Sequence, residues 1–227
     1  MTESASPWGS SPLTTRLWRA FLFALLLAMV APAAYFGIRA GWADALTLKA
    51  RSDIAEWQRA HTHPGIEDWR DARDALRNGL RFTPDDPKLY EHLAYLYGLR
   101  AVQASRVPEL RQSLLEQASI YYVAALRLRP MSPHTWANIA LAAHMMADRD
   151  TVLWLAFDKA MQYGANEPQV QLMLAEIGLS RWNGLDEPRK AVLRATFKRA
   201  APALRKELDK IAEQHAVDIL ALTQAGA

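Results

Sequence analysis

The feature that most constrains this chain is a long uncharged stretch near its N-terminus. Residues 20–38 read AFLFALLLAMVAPAAYFGI and contain no charged side chain. As a helix rising about 1.5 Å per residue, the stretch is about 28 Å long, close to the hydrocarbon thickness of a bilayer. Basic residues flank it and aromatic residues lie near its ends, which is typical of interfacial anchoring. The basic residues are Arg16, Arg19 and Arg39, and the aromatic residues are Trp18, Tyr35 and Trp42. We therefore predict a transmembrane segment over residues 16–40.

The same segment also fits a secretory signal peptide, because a basic start and an apolar core precede the Ala-Pro-Ala of residues 31–33. Apolar residues continue over positions 34–38, which favours an anchor that is not cleaved. Residues 1–15 are rich in Ser, Thr and Pro, and we expect them to form a disordered tail. An uncleaved anchor predicts a single-pass protein of the bacterial inner membrane, with everything after residue 40 in the periplasm.

Composition excludes several classes of protein. The chain of 227 residues has no cysteine, which rules out disulfide scaffolds, Cys-ligated zinc, iron–sulfur clusters and thiol nucleophiles. Its net charge of +3 lies mostly in the first 40 residues, and the remainder carries 24 basic against 23 acidic side chains. Because nucleic-acid binders concentrate basic residues on one face, we expect no nucleic-acid partner.

From residue 41 onward the hydrophobic pattern has helical periodicity throughout, which predicts an all-α fold. Helix breaks are expected at residues 63–65, 84–87, 130–133, 164–168 and 183–184, where Pro, Gly or Asn cluster. We expect a linking helix over 41–65 between the anchor and the helical domain.

Three of these breaks share one register. Residues 80–94 read LRFTPDDPKLYEHLA, residues 126–140 read LRLRPMSPHTWANIA, and residues 161–175 read MQYGANEPQVQLMLA. In each, a proline opens a helix, where its missing amide would have no partner. Asp86 and Ser132 are the expected N-caps, while Glu167 is a poorer one. Three residues after each proline lies Tyr90, Trp136 or Gln171. Three residues further on is an aliphatic residue, and an alanine follows it directly.

The helix before each break repeats a second pattern, in which a bulky residue lies between two small or apolar ones at spacings of four and three. This pattern predicts the contact face of an antiparallel helix pair. The residues are Ala72, Leu76 and Gly79, then Ala118, Tyr122 and Ala125, then Leu153, Phe157 and Ala160.

In these residues the chain resembles the tetratricopeptide repeat, whose unit of 34 residues carries the same residue types in the same order. The resemblance covers residues 66–182, about half of the chain, and implies an array of antiparallel helix pairs of two and a half to three units. Two departures are visible. The spacing from Pro87 to Pro133 is 46 residues, which predicts an extended hairpin near 103–115, and Gln171 replaces an aromatic residue.

The combination of the anchor, the stretch from Trp57 to Trp69 and the following ARDALRNGLRFTPDDPKLYEHLAYLYGLRA is similar to membrane-anchored repeat proteins of the VpsP-like kind. That resemblance implies a place in bacterial exopolysaccharide synthesis or export. It implies no catalytic residues for this chain.

The residues themselves give little support for catalysis. The six histidines have no zinc-ligand spacing, and no phosphate-binding loop or serine nucleophile elbow is present. Asp71 and Asp74 lie three apart among arginines, and a surface ion-pair network explains them better than a glycosidase pair. We therefore expect a protein that is not an enzyme and has no metal or cofactor.

The C-terminal region, residues 183–227, is expected to form capping helices. Residues 187–210 carry eight basic and three acidic side chains. The stretch has an apolar stripe and a break at Pro202, and the stripe consists of Val192, Leu193, Phe197, Leu204 and Leu208. We favour a helix that closes the array. The alternative is a helix that docks on an anionic partner or a membrane surface.

In arrays of helix pairs, the first helix of each pair lines the concave side. The candidate partner groove therefore consists of Lys88, Glu91, Tyr95, His134, Ala137, Leu141 and His144. The alternative is that the C-terminal helices simply cover this face.

These observations favour a non-catalytic, membrane-anchored adaptor or scaffold that binds protein partners in envelope exopolysaccharide synthesis or export. Two alternatives remain open, namely a structural or regulatory repeat module of a division or secretion complex, and an enzyme acting on envelope glycan.

Overall fold

The structure, a computed structural model, describes residues 12–146 and 149–218. Within these ranges all regular structure is helical, so the predicted all-α fold is confirmed. The helices are α1 (Pro12–Ala60), α2 (Ile66–Phe82), α3 (Pro87–Gln103), α4 (Pro108–Leu128), α5 (Pro133–His144), α6 (Asp150–Gly164), α7 (Pro168–Ser180), α8 (Glu187–Arg199) and α9 (Pro202–Gln214). A short 3-10 turn, Trp182–Gly184, lies between α7 and α8.

Helix α1 is long enough and apolar enough to span a membrane, as the sequence predicted. Side chains 20–38 are all exposed, so the apolar stretch is not part of the protein core. The helix continues without interruption to Ala60, and Ala43, Ala50 and Ile54 on its second half are buried. One continuous helix therefore covers the expected anchor at 16–40 and residues 41–60 of the expected linking helix, whose buried residues make it part of the helical domain. The predicted disordered tail, residues 1–15, falls outside the described residues up to position 11, and the chain is helical from Pro12.

After the apolar stretch, consecutive helices pack in pairs. The most extensive contacts join α1 to α2, α3 to α4 and α5 to α6, while α7 packs against α5, α6, α8 and α9. All nine residues of the predicted contact pattern on α2, α4 and α6 are buried. A buried core runs through these helices because small residues let the paired helices approach while Leu76, Tyr122 and Phe157 fill the space between them.

The turns before α3, α5 and α7 follow the predicted chemistry. The Asp86 carboxylate accepts a hydrogen bond from the amide of Lys88 at 2.9 Å, and Ser132 Oγ accepts one from the amide of Thr135 at 3.4 Å. Glu167 makes no such side-chain cap. These contacts confirm the two strong N-caps and the weak one.

The position three residues after each helix-opening proline has one shared structural role. Tyr90 Oη donates to the carbonyl of Pro84 at 2.9 Å, and Trp136 Nε1 donates to the carbonyl of Pro130 at 2.8 Å. Gln171 Nε2 donates to the carbonyl of Ala165, at the same separation of six residues. The glutamine thus departs from the aromatic pattern but supplies the same donor, which ties the start of its helix to the preceding turn.

The long repeat spacing produces an extended hairpin, as predicted. Helices α3 and α4 have 17 and 21 residues, against 12 and 15 for α5 and α6. Aromatic side chains fasten this hairpin to α2. Trp69 Nε1 donates to the carbonyl of Leu96 at 2.8 Å and its ring meets Tyr97 edge-on, and Tyr97 in turn stacks on Tyr121.

The C-terminal helices break before Pro202 as predicted. Leu193 is buried in the main core, and Phe197 and Leu208 are buried in a second cluster on which Leu204 packs. Val192 is exposed and does not belong to the stripe. Five of the eight basic side chains in residues 187–210 pair with carboxylates of this chain. These ion pairs favour the capping interpretation over an anionic partner, because the positive charge is already partly neutralised.

Candidate partner groove

Four of the predicted groove residues lie together. Lys88, Glu91, Tyr95 and His134 line one open cavity of about 750 Å³ on the side of the array formed by α1, α3, α5 and α7. The other lining residues are Arg51, Gln58, His92, Tyr122, Arg129, Ser132, Thr135, Asn138 and Met173.

Helix α1 contributes directly to this cavity through Arg51 and Gln58. Sequence reasoning missed both residues because positions 41–65 were interpreted as a linker. The available signal was the helical spacing of the buried residues Ala43, Ala50 and Ile54, which continues the pattern of a first helix in a pair.

The carboxylate of Glu91 is bound within the chain rather than free for a partner. Both of its oxygens accept from Arg129 Nη2 at 2.7 Å, and Thr135 Oγ1 lies 2.6 Å from one of them. Glu91 therefore connects α3 to the turn after α4 and to the first turn of α5. Its role is to hold the floor of the cavity in shape.

His92 lies beside Arg51 on the same wall. Burial lowers the pKa of its imidazole, and the positive charge of Arg51 lowers it further, so both favour the neutral ring. The Nδ1 atom of His92 is buried and has no hydrogen-bond partner among the described residues.

The side chains that line the cavity carry a small excess of positive charge. Three basic side chains, Arg51, Lys88 and Arg129, line it against the single carboxylate of Glu91. Arg129 is neutralised by Glu91, and Arg51 pairs with Asp44 at 2.5 Å. Lys88 is exposed, and it is the groove cation best placed to meet a charge on a partner.

An apolar pocket of about 270 Å³ adjoins the polar cavity. The two share four lining residues, Tyr95, Tyr122, Asn138 and Met173, so they lie side by side, and we call the pair of cavities the groove. The remaining lining is almost entirely apolar, and it comprises Gly98, Leu99, Val102, Leu115, Ala118, Leu141, Ala142 and Met145. A pocket of this size and lining fits one bulky apolar side chain.

Two predicted groove residues lie elsewhere. Ala137 is 0% exposed and lies in the protein core, so it cannot contact a partner. Asn138, the next residue along, lines the groove instead. His144 lies beside Arg181, whose Nε donates to His144 Nδ1 at 3.2 Å, and it lines neither part of the groove.

The other candidate sites form no catalytic cluster in the structure. Arg73 pairs with Asp74 at 2.7 Å and Arg70 with Glu67 at 3.2 Å, as a surface network would. His61 and His63 are exposed. Within residues 12–146 and 149–218, no three His, Asp or Glu side chains converge as metal ligands would.

Comparison with known proteins adds no identification. No model of a protein family matches the chain, and no curated protein matches it.

Proposed function

We propose that this chain is a non-catalytic, membrane-anchored adaptor that binds a segment of a partner protein in the groove between α1, α3, α5 and α7. The observation that carries the proposal is that the polar cavity and the apolar pocket adjoin and share four lining residues. A peptide can place a bulky apolar side chain in the pocket while its neighbouring polar groups lie against Lys88, His92 and Asn138.

The proposed partner segment combines an acidic residue with a bulky apolar one. The acidic group would meet Lys88 at the open end of the groove, and the apolar side chain would lie between Tyr95 and Leu141. A groove built on a few helices buries a small area, so the affinity of an isolated segment should be modest. Attachment of both proteins to one membrane raises their effective concentration and compensates for that weakness.

The proposal includes a tetratricopeptide-like array over residues 66–182. It is supported by the equivalent hydrogen bonds of Tyr90, Trp136 and Gln171, and by the buried contact pattern of α2, α4 and α6. We further propose that α1 anchors the chain in a bacterial inner membrane with the helical domain in the periplasm. From the resemblance to VpsP-like proteins we propose that the partner belongs to exopolysaccharide synthesis or export.

Photocrosslinking in the native cells tests this proposal. A photoreactive phenylalanine analogue replaces Tyr95 in the groove, and a matched variant carries it at Tyr163 on α6, which does not line the groove. The proposal predicts that position 95 captures a defined protein and that position 163 does not. Capture of polysaccharide synthesis or export proteins supports the proposed pathway. Capture of division or secretion components instead supports the adaptor role and contradicts the proposed pathway. Equal capture at both positions contradicts the groove.

A further inference from the structure

We propose that the turn between α2 and α3, residues 82–87, contacts the phospholipid headgroups of the membrane that α1 enters. The inference rests on the proposed anchoring by α1 and goes beyond it, because it assigns a second membrane contact and a fixed orientation to the helical domain.

The first argument is that no linker separates the apolar stretch of α1 from the folded domain. The stretch ends at Ile38, and Ala43 is already buried, at 4% exposure, with its carbonyl oxygen close to Gly79 of α2. Five helical residues correspond to about 7.5 Å. The headgroup layer on each side of a bilayer is of similar thickness, about 5–8 Å. Because α1 is unbroken from Pro12 to Ala60, the domain begins inside or directly above the headgroups.

The second argument is a direct contact that fixes the level of the turn. Arg39 is the first residue after the apolar stretch, and its Nη2 atom donates to the carbonyl of Phe82 at 2.6 Å. The same guanidinium lies 5.4 Å from the ring centre of Tyr35. Arg39 and Tyr35 mark the expected edge of the hydrocarbon, so the end of α2 lies at the depth of the interface.

The third argument is the chemistry of the side chains at this level. Phe82 is 36% exposed although it lies at the end of a helix pair, and Trp42 on α1 is exposed as well. Arg81, which precedes Phe82 in α2, is also exposed. Aromatic rings and arginines together are the side chains that membrane interfaces favour.

The charge at this edge is nearly balanced. Arg39, Arg81 and Lys88 are opposed by Asp85 and by Asp86, which also caps α3. The contact therefore depends on partition of the aromatic rings rather than on attraction to anionic lipid. We expect it to persist on zwitterionic lipid and at high salt.

A fixed orientation has a consequence for the groove. Arg51 and Gln58 follow Ile38 by 13 and 20 residues along α1. At about 1.5 Å per residue these positions lie roughly 20 and 30 Å beyond the end of the apolar stretch. A partner would have to present its segment within that distance of the bilayer.

Depth measurement in vesicles tests the proposal. Because the chain has no native cysteine, a single introduced cysteine is the only thiol that is labelled. Full-length protein carrying Phe82→Cys is labelled with a polarity-sensitive fluorophore and reconstituted in phosphatidylcholine vesicles containing a lipid with a headgroup-level nitroxide. The matched control is Val107→Cys, which is also apolar and exposed, at 49%, but lies on the turn at the opposite end of α3. Arg81→Cys provides a second probe in case the loss of Phe82 disturbs the turn.

We expect a blue-shifted emission and strong nitroxide quenching at positions 82 and 81, with neither effect at 107. Equal, water-like emission at 81, 82 and 107 overturns the headgroup contact. A label at Leu27→Cys, in the middle of the apolar stretch, separates this failure from failure of the anchor. Quenching at 27 without quenching at 81 and 82 rejects the contact alone, whereas no quenching at 27 rejects the membrane anchor and the contact together.

Discussion

The hydrogen bond of Gln171 provides a sensitive test of the repeated architecture. Gln171 is 8% exposed, and its amide donates to the carbonyl of Ala165 in the turn before α7. From sequence the residue is a departure from an aromatic position, and a neutral effect of its removal would be unremarkable. The structure instead makes it the functional equivalent of Tyr90 and Trp136, so Gln171→Ala should destabilise the fold.

The expected magnitude follows from two contributions. Loss of an intramolecular hydrogen bond costs about 0.5–1.5 kcal/mol. Loss of buried methylene contact adds about 0.8 kcal/mol. The sum is about 2 kcal/mol, which for a chain of this size lowers the melting temperature by about 4–8 °C.

The assay is thermal unfolding of the full-length protein in detergent, followed by circular dichroism at a helical wavelength. The control is Gln169→Ala, because Gln169 lies on the same helix, is exposed, and undergoes the same change in helix propensity. We expect the control to change stability by less than about 0.5 kcal/mol. Equal melting temperatures for the two variants would refute the proposed role of the repeated donor.

Three further predictions concern packing, ion pairing and pH. At Gly79 an added Cβ would clash with Thr47 Cγ2, so Gly79→Ala should destabilise the wild-type protein. Thr47→Ser removes that methyl group, and in this background we expect Gly79→Ala to cost about 1–2 kcal/mol less. A double-mutant cycle in denaturant measures the difference. Glu91→Gln retains the shape of the side chain but removes the charge that binds Arg129 in the turn after α4. Because this site is partly exposed, we expect a loss of about 1 kcal/mol in the free energy of unfolding. An unchanged free energy of unfolding would contradict the role of Glu91 in holding this turn. Burial lowers the pKa of His92 and His144 in the folded state, so the unfolded chain binds more protons below about pH 6.5. The contribution of these two side chains to the free energy of unfolding should therefore be fully present above that pH. It should be lost as the pH drops towards the folded-state pKa. A chain with both histidines replaced by glutamine should show a flatter stability profile between about pH 7 and 5, and an unchanged slope would contradict this origin.

Local chemistry made much of the fold predictable. Proline at the first helical position and a capping side chain before it act over a few residues, so the starts of α3, α5 and α7 could be read directly. The predicted contact pattern on α2, α4 and α6 is buried at every position because helical spacing alone determines which residues share a face.

What the sequence did not predict depended on tertiary packing. The linking helix expected over 41–65 continues from the anchor without interruption, and its packing against α2 depends on contacts that the local pattern does not contain. Ala137 shares the helical spacing of the groove residues, but a small side chain at that position lets a neighbouring helix approach and is covered by it. Helix α5 ends at His144, where the side chain meets Arg181, and no local pattern identifies that partner.

The groove was predictable in part for the same reason. Lys88, Glu91, Tyr95 and His134 follow from the register of α3 and α5 alone. Arg51 and Met173 come from α1 and α7, and their inclusion depends on how those helices lie against the central pairs. That Glu91 is already bound by Arg129 depends on a contact across 38 residues of sequence.

The central claim is that the groove binds a partner segment, and charge-matched variants test it most directly. Lys88→Glu alters the open end of the groove, while Lys198→Glu makes the same change of charge on an exposed position of α8. Both variants are expressed in the native cells at equal levels, crosslinked, and compared for the amount of each associated protein recovered by mass spectrometry. The account predicts that Lys88→Glu loses a defined partner and keeps its melting temperature, whereas Lys198→Glu retains the partner. Equal recovery of every associated protein from the two variants would contradict the claim.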